Sequence, residues 1–424
     1  MASWIAIADD SDFSLHNLPY GVFSCADKCP RIGVAVGDHV LDMKGLAEKH
    51  VFDDLDFDVS VLEQKTLNAF AGLGRETTGR VRRRLQRLLD IRTSSASELR
   101  DNHERRKQCL LPLDSVTMHL PVDVSDYTDF FIGLHHAQNS ADFLKKGADI
   151  TQLMPYFWEA PAAYHGRASS VVVSGTPVHR PKGQIRANEQ AVAGLSQQLD
   201  FEVEFAAVIG TGNELGSAID VDQADTHIFG FVLLNDWSAR DFQKNEIAPF
   251  ASKNFGTSIS PWIVPFEALE PFRVPPTGAG RPLPDYLAQK VTNSVYDLPI
   301  RATLEVSSQK YQMSHCNTKH AIFSFAQMIA HHTRGGCPLR PGNLLATGTM
   351  SGPTRPEQGC FLELSKVGTE VYEMTATDFS ERKLSRTFLE DGDTVEFTCQ
   401  LQSSDGSGKV GFGTCRGQVL PGNE

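Results

Sequence analysis

With 424 residues, and 40 lysines and arginines set against 52 aspartates and glutamates, the chain is long enough to bury a sizeable core and to form two domains. A net charge of -12 argues against nucleic acid or an anionic membrane surface as partner. No apolar run approaches a membrane span, and the polar start from Met1 to Asp12 does not read as a signal peptide. The eight cysteines hold no CxxC pair, which points to free thiols in a reducing cytoplasm.

Residues 1 to 60 hold short strand candidates. Ile32 to Val36 leads into Gly37-Asp38, a turn signal between two apolar stretches. From 64 to 110 the chain is charged and helical. Arg80, Arg82, Arg83, Arg84 and Arg87 make a basic run there, but Val81, Leu85 and Leu88 recur at helical spacing, which predicts a solvated helix face. Leu111-Pro112-Leu113 opens the larger part of the chain, dividing it into 1–115 and 116–424. The stretch from Asp126 to His136 reads as a strand through Asp129 and then the start of a helix carrying His136. Residues 184–198 are polar and small, and 271–284 carry Pro271, Pro275, Pro276, Pro282 and Pro284, so both read as surface loops. Between them, apolar and acidic residues alternate from Leu199 to Phe205, which sets Glu202 and Glu204 on one face of a strand. Asp236, Arg240 and Gln243 recur at i, i+4, i+7, one stripe of a helix. Beyond residue 300, the Asp391-Gly392-Asp393 turn and Gly411-Phe412-Gly413 predict strands and hairpins.

Asp129, Glu202, Glu204 and Asp236, with His136 close by, would together surround a hard cation. Oxygen donors suit Mg²⁺ or Ca²⁺, whereas zinc would recruit His or Cys at tighter spacing. Each feature alone has an ordinary reading: Glu-x-Glu as a solvated sheet face, an Asp near a helix start as a cap, Asp236 and Arg240 as a surface ion pair.

Several longer stretches carry a resemblance. Asp126-Tyr127-Thr128-Asp129-Phe130, Tyr164-His165-Gly166-Arg167-Ala168-Ser169-Ser170, Asn235-Asp236-Trp237-Ser238-Ala239-Arg240-Asp241, Lys253-Asn254-Phe255-Gly256-Thr257 and Gly348-Thr349-Met350-Ser351-Gly352 stand in the order of the fumarylacetoacetase family. The opening Asn17-Leu18-Pro19-Tyr20-Gly21-Val22-Phe23 is similar to the N-terminal domain of the same enzymes. The resemblance implies a mainly β chain with some α: a small N-terminal SH3-like barrel, then a larger β-rich catalytic domain that dimerises. It implies a cytoplasmic, metal-dependent hydrolase of phenylalanine and tyrosine catabolism that cleaves a carbon-carbon bond of a β-diketone acid. The metal ligands would be Asp129, Glu202, Glu204 and Asp236, with Lys253 and Thr257 at a second Mg²⁺. His136 would be the general base oriented by Glu363, and Arg240, Gln243 and Lys253 would hold developing negative charge. Tyr164, Gln243 and Thr349 match substrate-contacting positions.

The recognition set departs from the family. Phe131 stands where a substrate-contacting Tyr is usual, Lys145 where an Arg holds the substrate carboxylate, and the link from Glu246 to Lys253 is shorter and lacks a tyrosine. Three readings follow: hydrolysis of fumarylacetoacetate; a paralogue in a biosynthetic pathway acting on a related 1,3-dicarbonyl by hydrolysis, decarboxylation, isomerisation or bond formation; and an inactive binding or scaffold protein.

Overall fold

The computed structural model describes residues 2–187, 190–378, 380–403 and 405–423. Two strands from the middle of the chain, Val203–Ile209 and Ile228–Asp236, are buried at every position, as strands covered on both faces must be. They pair antiparallel, Val203 opposite Asn235 and Glu204 opposite Leu234. Around them an eight-stranded mixed sheet runs in the order Ala163–Gly166, Tyr127–Phe130, Leu344–Ala346, Val203–Ile209, Ile228–Asp236, Thr257–Ile259, Val171–Val173, with Val264–Pro265 also paired to Ile228–Asp236. The period of two sorts its side chains between two cores. Phe205, Ala207, Phe231 and Leu233 face the C-terminal region, while Ala206, Val208, Val232 and Leu234 pack with N-terminal residues such as Tyr20, Phe70 and Leu85.

The N-terminal region builds a five-stranded antiparallel sheet in the order Leu110–Pro112, His39–Asp42, Lys28–Val36, Tyr20–Cys25, Thr117–His119. Its Gly37-Asp38 turn lies where the sequence places it. The strand order is open, and closure into an SH3-like barrel is not among the pairings of the described residues. The molecule is mixed α and β with strands predominating. A second five-stranded sheet, Gln309–Asn317, Pro299–Val306, Thr394–Gln402, Lys409–Leu420, Val178–His179, completes the C-terminal region.

Three sequence readings need correction. The basic run lies on helix Arg75–Leu89 with Val81, Leu85 and Leu88 inward as expected, but Arg82 and Arg84 are buried. Arg82 donates to the carbonyls of Asn17 and His16, and Arg84 pairs with Asp54 and Glu98, so partners offset their desolvation. Residues 184–198 are largely a β-hairpin, Lys182–Ala187 against Gln190–Leu195, in register from Lys182 opposite Leu195 to Ala187 opposite Gln190; residues 188–189 lie outside the described residues. Most of its second strand is exposed, so it carries no apolar alternation to read. Asp236, Arg240 and Gln243 do not share a helix. Asp236 ends the Ile228–Asp236 strand, Ser238–Ala239 pairs with Leu199–Asp200, and only Arg240–Gln243 is helical. Buried Trp237, whose indole N–H donates to Ser258 Oγ at 2.9 Å, holds the chain extended there.

Candidate active site

Strand pairing gathers the acidic residues. Asp129 sits opposite Tyr164 on one side and Ala346 on the other. Ala346 in turn faces Ala206, two residues from Glu204, and Asp236 faces Thr257. Four carboxylate oxygens, one each from Asp129, Glu202, Glu204 and Asp236, lie within 4.8 Å of one another, and all four residues are buried. A solvated sheet face is thereby excluded for the Glu202 and Glu204 pair.

Two cations reach this cluster. Lys253 Nζ donates to Asp236 Oδ2 at 2.8 Å and closes on Glu202 Oε2. Arg240 Nη2 lies 2.8 Å from Glu202 Oε1. Tyr164 OH donates to Asp236 Oδ2 at 2.9 Å and Thr257 Oγ1 to Asp236 Oδ1 at 3.0 Å. Glu204 Oε1 and Oε2 and Asp129 Oδ1, in contrast, are buried without a hydrogen-bond partner. Four carboxylates against two cations leave an excess of about two negative charges. Burial therefore raises the Asp129 carboxyl, helped by Asp236, to about 8. Burial and the three neighbouring acids push Glu204 well above the usual carboxylate range. Glu202 is the exception: burial raises it, but Lys253 and Arg240 together outweigh that and hold it low. Oxygen donors only, converging, with bare lone pairs and two surplus negative charges, fit a hard divalent cation. The Lys253 ammonium has no lone pair to offer a metal; the Lys253 and Thr257 side chains steady Asp236 in this same centre.

Beside the cluster stands an acid-base pair. His136, on helix Leu134–Leu144, and Glu363, on the short helix Phe361–Leu364, meet at 2.7 Å between Nδ1 and Oε2. The carboxylate only accepts, so Nδ1 carries the proton and Nε2 is left as the basic nitrogen. Sequence reasoning missed what holds Glu363. Asn139 Nδ2 donates to Oε1 at 2.7 Å, Ser351 Oγ to Oε2 at 2.7 Å, and the Cys360 thiol to Oε2 at 3.2 Å. Burial disfavours the Glu363 anion, yet His136 and these donors overcome it and keep the carboxyl below its ordinary range. Burial beside acids pushes the Cys360 thiol well up, so it serves as a neutral donor. Asn139 lies one helical turn after His136, a spacing that could have flagged it. Ser351 and Cys360 carry no such signal.

The loop bringing Ser351 and Thr349 here depends on backbone freedom. Gly348 has φ +72, and a Cβ on it would fall 2.1 Å from the carbonyl oxygen of Phe130, so only glycine lets this turn lie against the Tyr127–Phe130 strand. Thr349 is buried with its hydroxyl unpartnered. Gln243 Oε1 accepts from Arg240 Nη1 at 3.2 Å. Phe131 packs edge-on to His136, centroids 5.5 Å apart. Lys145 is exposed at the C-terminal cap of the His136 helix, about two and a half turns away. His135 is half-buried and meets His320 edge-on with centroids 4.7 Å apart, away from the Glu363 pairing.

Comparison with known proteins agrees with this geometry. Residues 134–420 match the family described as Fumarylacetoacetate (FAA) hydrolase C-terminal, and residues 16–121 the one described as Fumarylacetoacetase N-terminal. The chain is 45% identical to the fumarylacetoacetase of Rattus norvegicus over 430 residues, and 44% identical to that of Homo sapiens over 428, each covering 99% of both chains. It is 43% identical to that of Emericella nidulans over 436 residues, again 99% of both. Among solved structures, a fumarylacetoacetate hydrolase from Exiguobacterium antarcticum shares the fold at TM-score 0.52 and 18% identity, covering 95% of this chain and 99% of that one.

Proposed function

This chain belongs to the fumarylacetoacetase family, and on that premise we propose that it hydrolyses the carbon-carbon bond between the two carbonyls of 4-fumarylacetoacetate, giving fumarate and acetoacetate. The carrying observation is the adjacency of two devices such a reaction needs: a buried four-carboxylate centre with unpartnered oxygens and a His136–Glu363 pair. We assign the roles as follows. Asp129, Glu202, Glu204 and Asp236 would hold Ca²⁺ or Mg²⁺, which would supply Lewis-acid polarisation of a substrate carbonyl. His136 Nε2 takes a proton from the attacking water, and Glu363 fixes the tautomer and steadies the imidazolium that forms. Arg240 and Lys253 supply the positive charge that developing oxyanion and carbanion need, and Gln243 orients Arg240. Thr349, whose buried hydroxyl has no protein partner, and Tyr164 contact the substrate.

Residues 1–115 are read as an N-terminal SH3-like module and 116–424 as the catalytic domain, in a cytoplasmic homodimer. No helix among the described residues is long and apolar enough to cross a membrane, in keeping with a small-molecule substrate. Two observations favour a second reading, a paralogue acting on a related 1,3-dicarbonyl: Phe131 brings a ring without a hydroxyl to His136, and Lys145 offers a flexible exposed charge instead of a guanidinium fork. The completed dyad and carboxylate centre weigh against an inactive scaffold. The test is loss of diketone absorbance by purified protein with Mg²⁺ or Ca²⁺, using fumarylacetoacetate beside simple acylpyruvates. Turnover of fumarylacetoacetate is expected; turnover of the others alone would favour the second reading, and turnover of none would refute the hydrolase.

A further inference from the structure

Asp200 lies outside both devices just described, yet it is fully buried and touches the supports of each. The two-residue ladder of Leu199–Asp200 with Ser238–Ala239 sets it opposite Ser238, two residues before Arg240. Its Oδ2 accepts from Arg240 Nε at 2.9 Å and from the Leu362 N–H at 2.8 Å. Its Oδ1 accepts from the Phe361 N–H at 2.7 Å and from its neighbour Phe201 at 2.8 Å. Phe361 and Leu362 are the first two residues of the helix that carries Glu363. One carboxylate thus fixes a guanidinium on one side and the start of the Glu363 helix on the other.

A short helix end needs acceptors for its free N–H groups, and a neutral one such as Ser or Asn would serve. A buried anion there is costly unless a cation pairs with it. Arg240 is that cation. Its Nε is occupied by Asp200, while Nη1 donates to Gln243 and Nη2 stands against Glu202. Without Asp200 the guanidinium could rotate to engage Glu202 by another edge, and it would no longer be set between the carboxylate centre and Gln243.

We infer that Asp200 is a positioning residue that locks Arg240 and the Glu363 helix into one rigid unit, so that the charge-stabilising side chain and the base-orienting side chain keep a fixed separation. The inference rests on the roles assigned to Arg240 and Glu363 under the proposed function. Asp200→Asn is the sharpest perturbation: it is isosteric, but it either turns an NH₂ toward Arg240 and Leu362 or loses the contacts of the other oxygen.

The expected result is a loss of kcat on the order of 10- to 100-fold with KM changed far less, because a charge-assisted contact is removed from a group acting on the transition state. In a cycle with Arg240→Gln, the double variant should lose clearly less than the product of the two single losses, because the Arg240 contact is already gone while the Glu363-helix contacts remain. Multiplying losses would overturn the inference. A second readout does not depend on turnover. In ¹⁵N-arginine spectra of the full-length protein, the Arg240 Nε–H signal, identified by its absence in Arg240→Gln, should exchange slowly with solvent, and Asp200→Asn should abolish that protection. Retained protection would overturn the inference even if the protein proved inactive on fumarylacetoacetate, whereas an inactive unaltered enzyme with the protection pattern as expected would refute only the proposed reaction. If Asp200→Asn does not fold, Asp200→Glu, which keeps the charge on a longer arm, is scored by the same two readouts.

Discussion

Loading the four-carboxylate centre should be an exchange of a divalent cation for protons. The cluster of Asp129, Glu202, Glu204 and Asp236 is paired with the two cations Lys253 and Arg240 through Glu202 and Asp236, and the surplus is met in the metal-free protein by protonation, with Asp129 raised to about 8 and Glu204 well above its ordinary range by burial among like charges. At pH 7 Asp129 is then about nine-tenths protonated, and burial among like charges favours the protonated form of Glu204 as well. A cation that displaces the Asp129 proton should gain roughly tenfold in apparent affinity per pH unit below about 8, and more where a Glu204 proton leaves with it. Calorimetric titration of chelated protein with Mg²⁺ or Ca²⁺ in buffers of different ionisation enthalpy counts the protons directly. Stability of the metal-free protein should run the opposite way. Asp129 favours folding while protonated, so in chelator the melting temperature should decline as pH rises from about 4 through about 8, and saturating cation should remove the decline. Affinity that does not change between pH 6 and 8, or a melting temperature indifferent to cation at pH 8, would refute the reasoning.

Replacing His136 by Ala should lower kcat by about 10²–10⁴ with little change in fold, while His135→Ala, which removes a ring set edge-on to His320, should cost less than about tenfold; steady-state kinetics beside circular dichroism decide, and equal losses would identify the wrong base. Glu363→Gln keeps the size of the side chain but allows its NH₂ to face His136 Nδ1, so kcat should fall about 10–10³-fold, with a changed acid limb in the pH–rate profile; an unchanged profile would leave Glu363 a packing residue. Phe131→Tyr, which places a hydroxyl on a ring already against His136, should raise kcat/KM on fumarylacetoacetate by about tenfold or more, and Lys145→Arg should add to it; no gain from either would make these departures neutral.

Much of the centre was legible in the chain because strand geometry is short-range. Glu204 falls in the Val203–Ile209 strand with Glu202 one residue before it, and the Asp129 strand and His136 helix stand in the expected order. The helical stripe from Asp236 to Gln243 failed for the converse reason: a spacing of four is compatible with a helix, but a fully buried strand ending in Asp236 offers no polar alternation to reveal itself. Asp236 and Arg240 still converge, through two strands and a turn.

Sequence by itself determined which side chains could ligate a cation, carry a proton or bear positive charge, and long ordered motifs set the family. Tertiary structure alone decided that the acids are buried rather than solvated, that Arg82 and Arg84 leave the surface of their helix, and that Asp200, Asn139, Ser351 and Cys360 support the reacting groups. The reason is physical. A residue's chemistry travels with it, whereas its pKa and its partners depend on charges contributed by segments such as 129, 204 and 236, or 136 and 363, that only folding brings within a few ångströms.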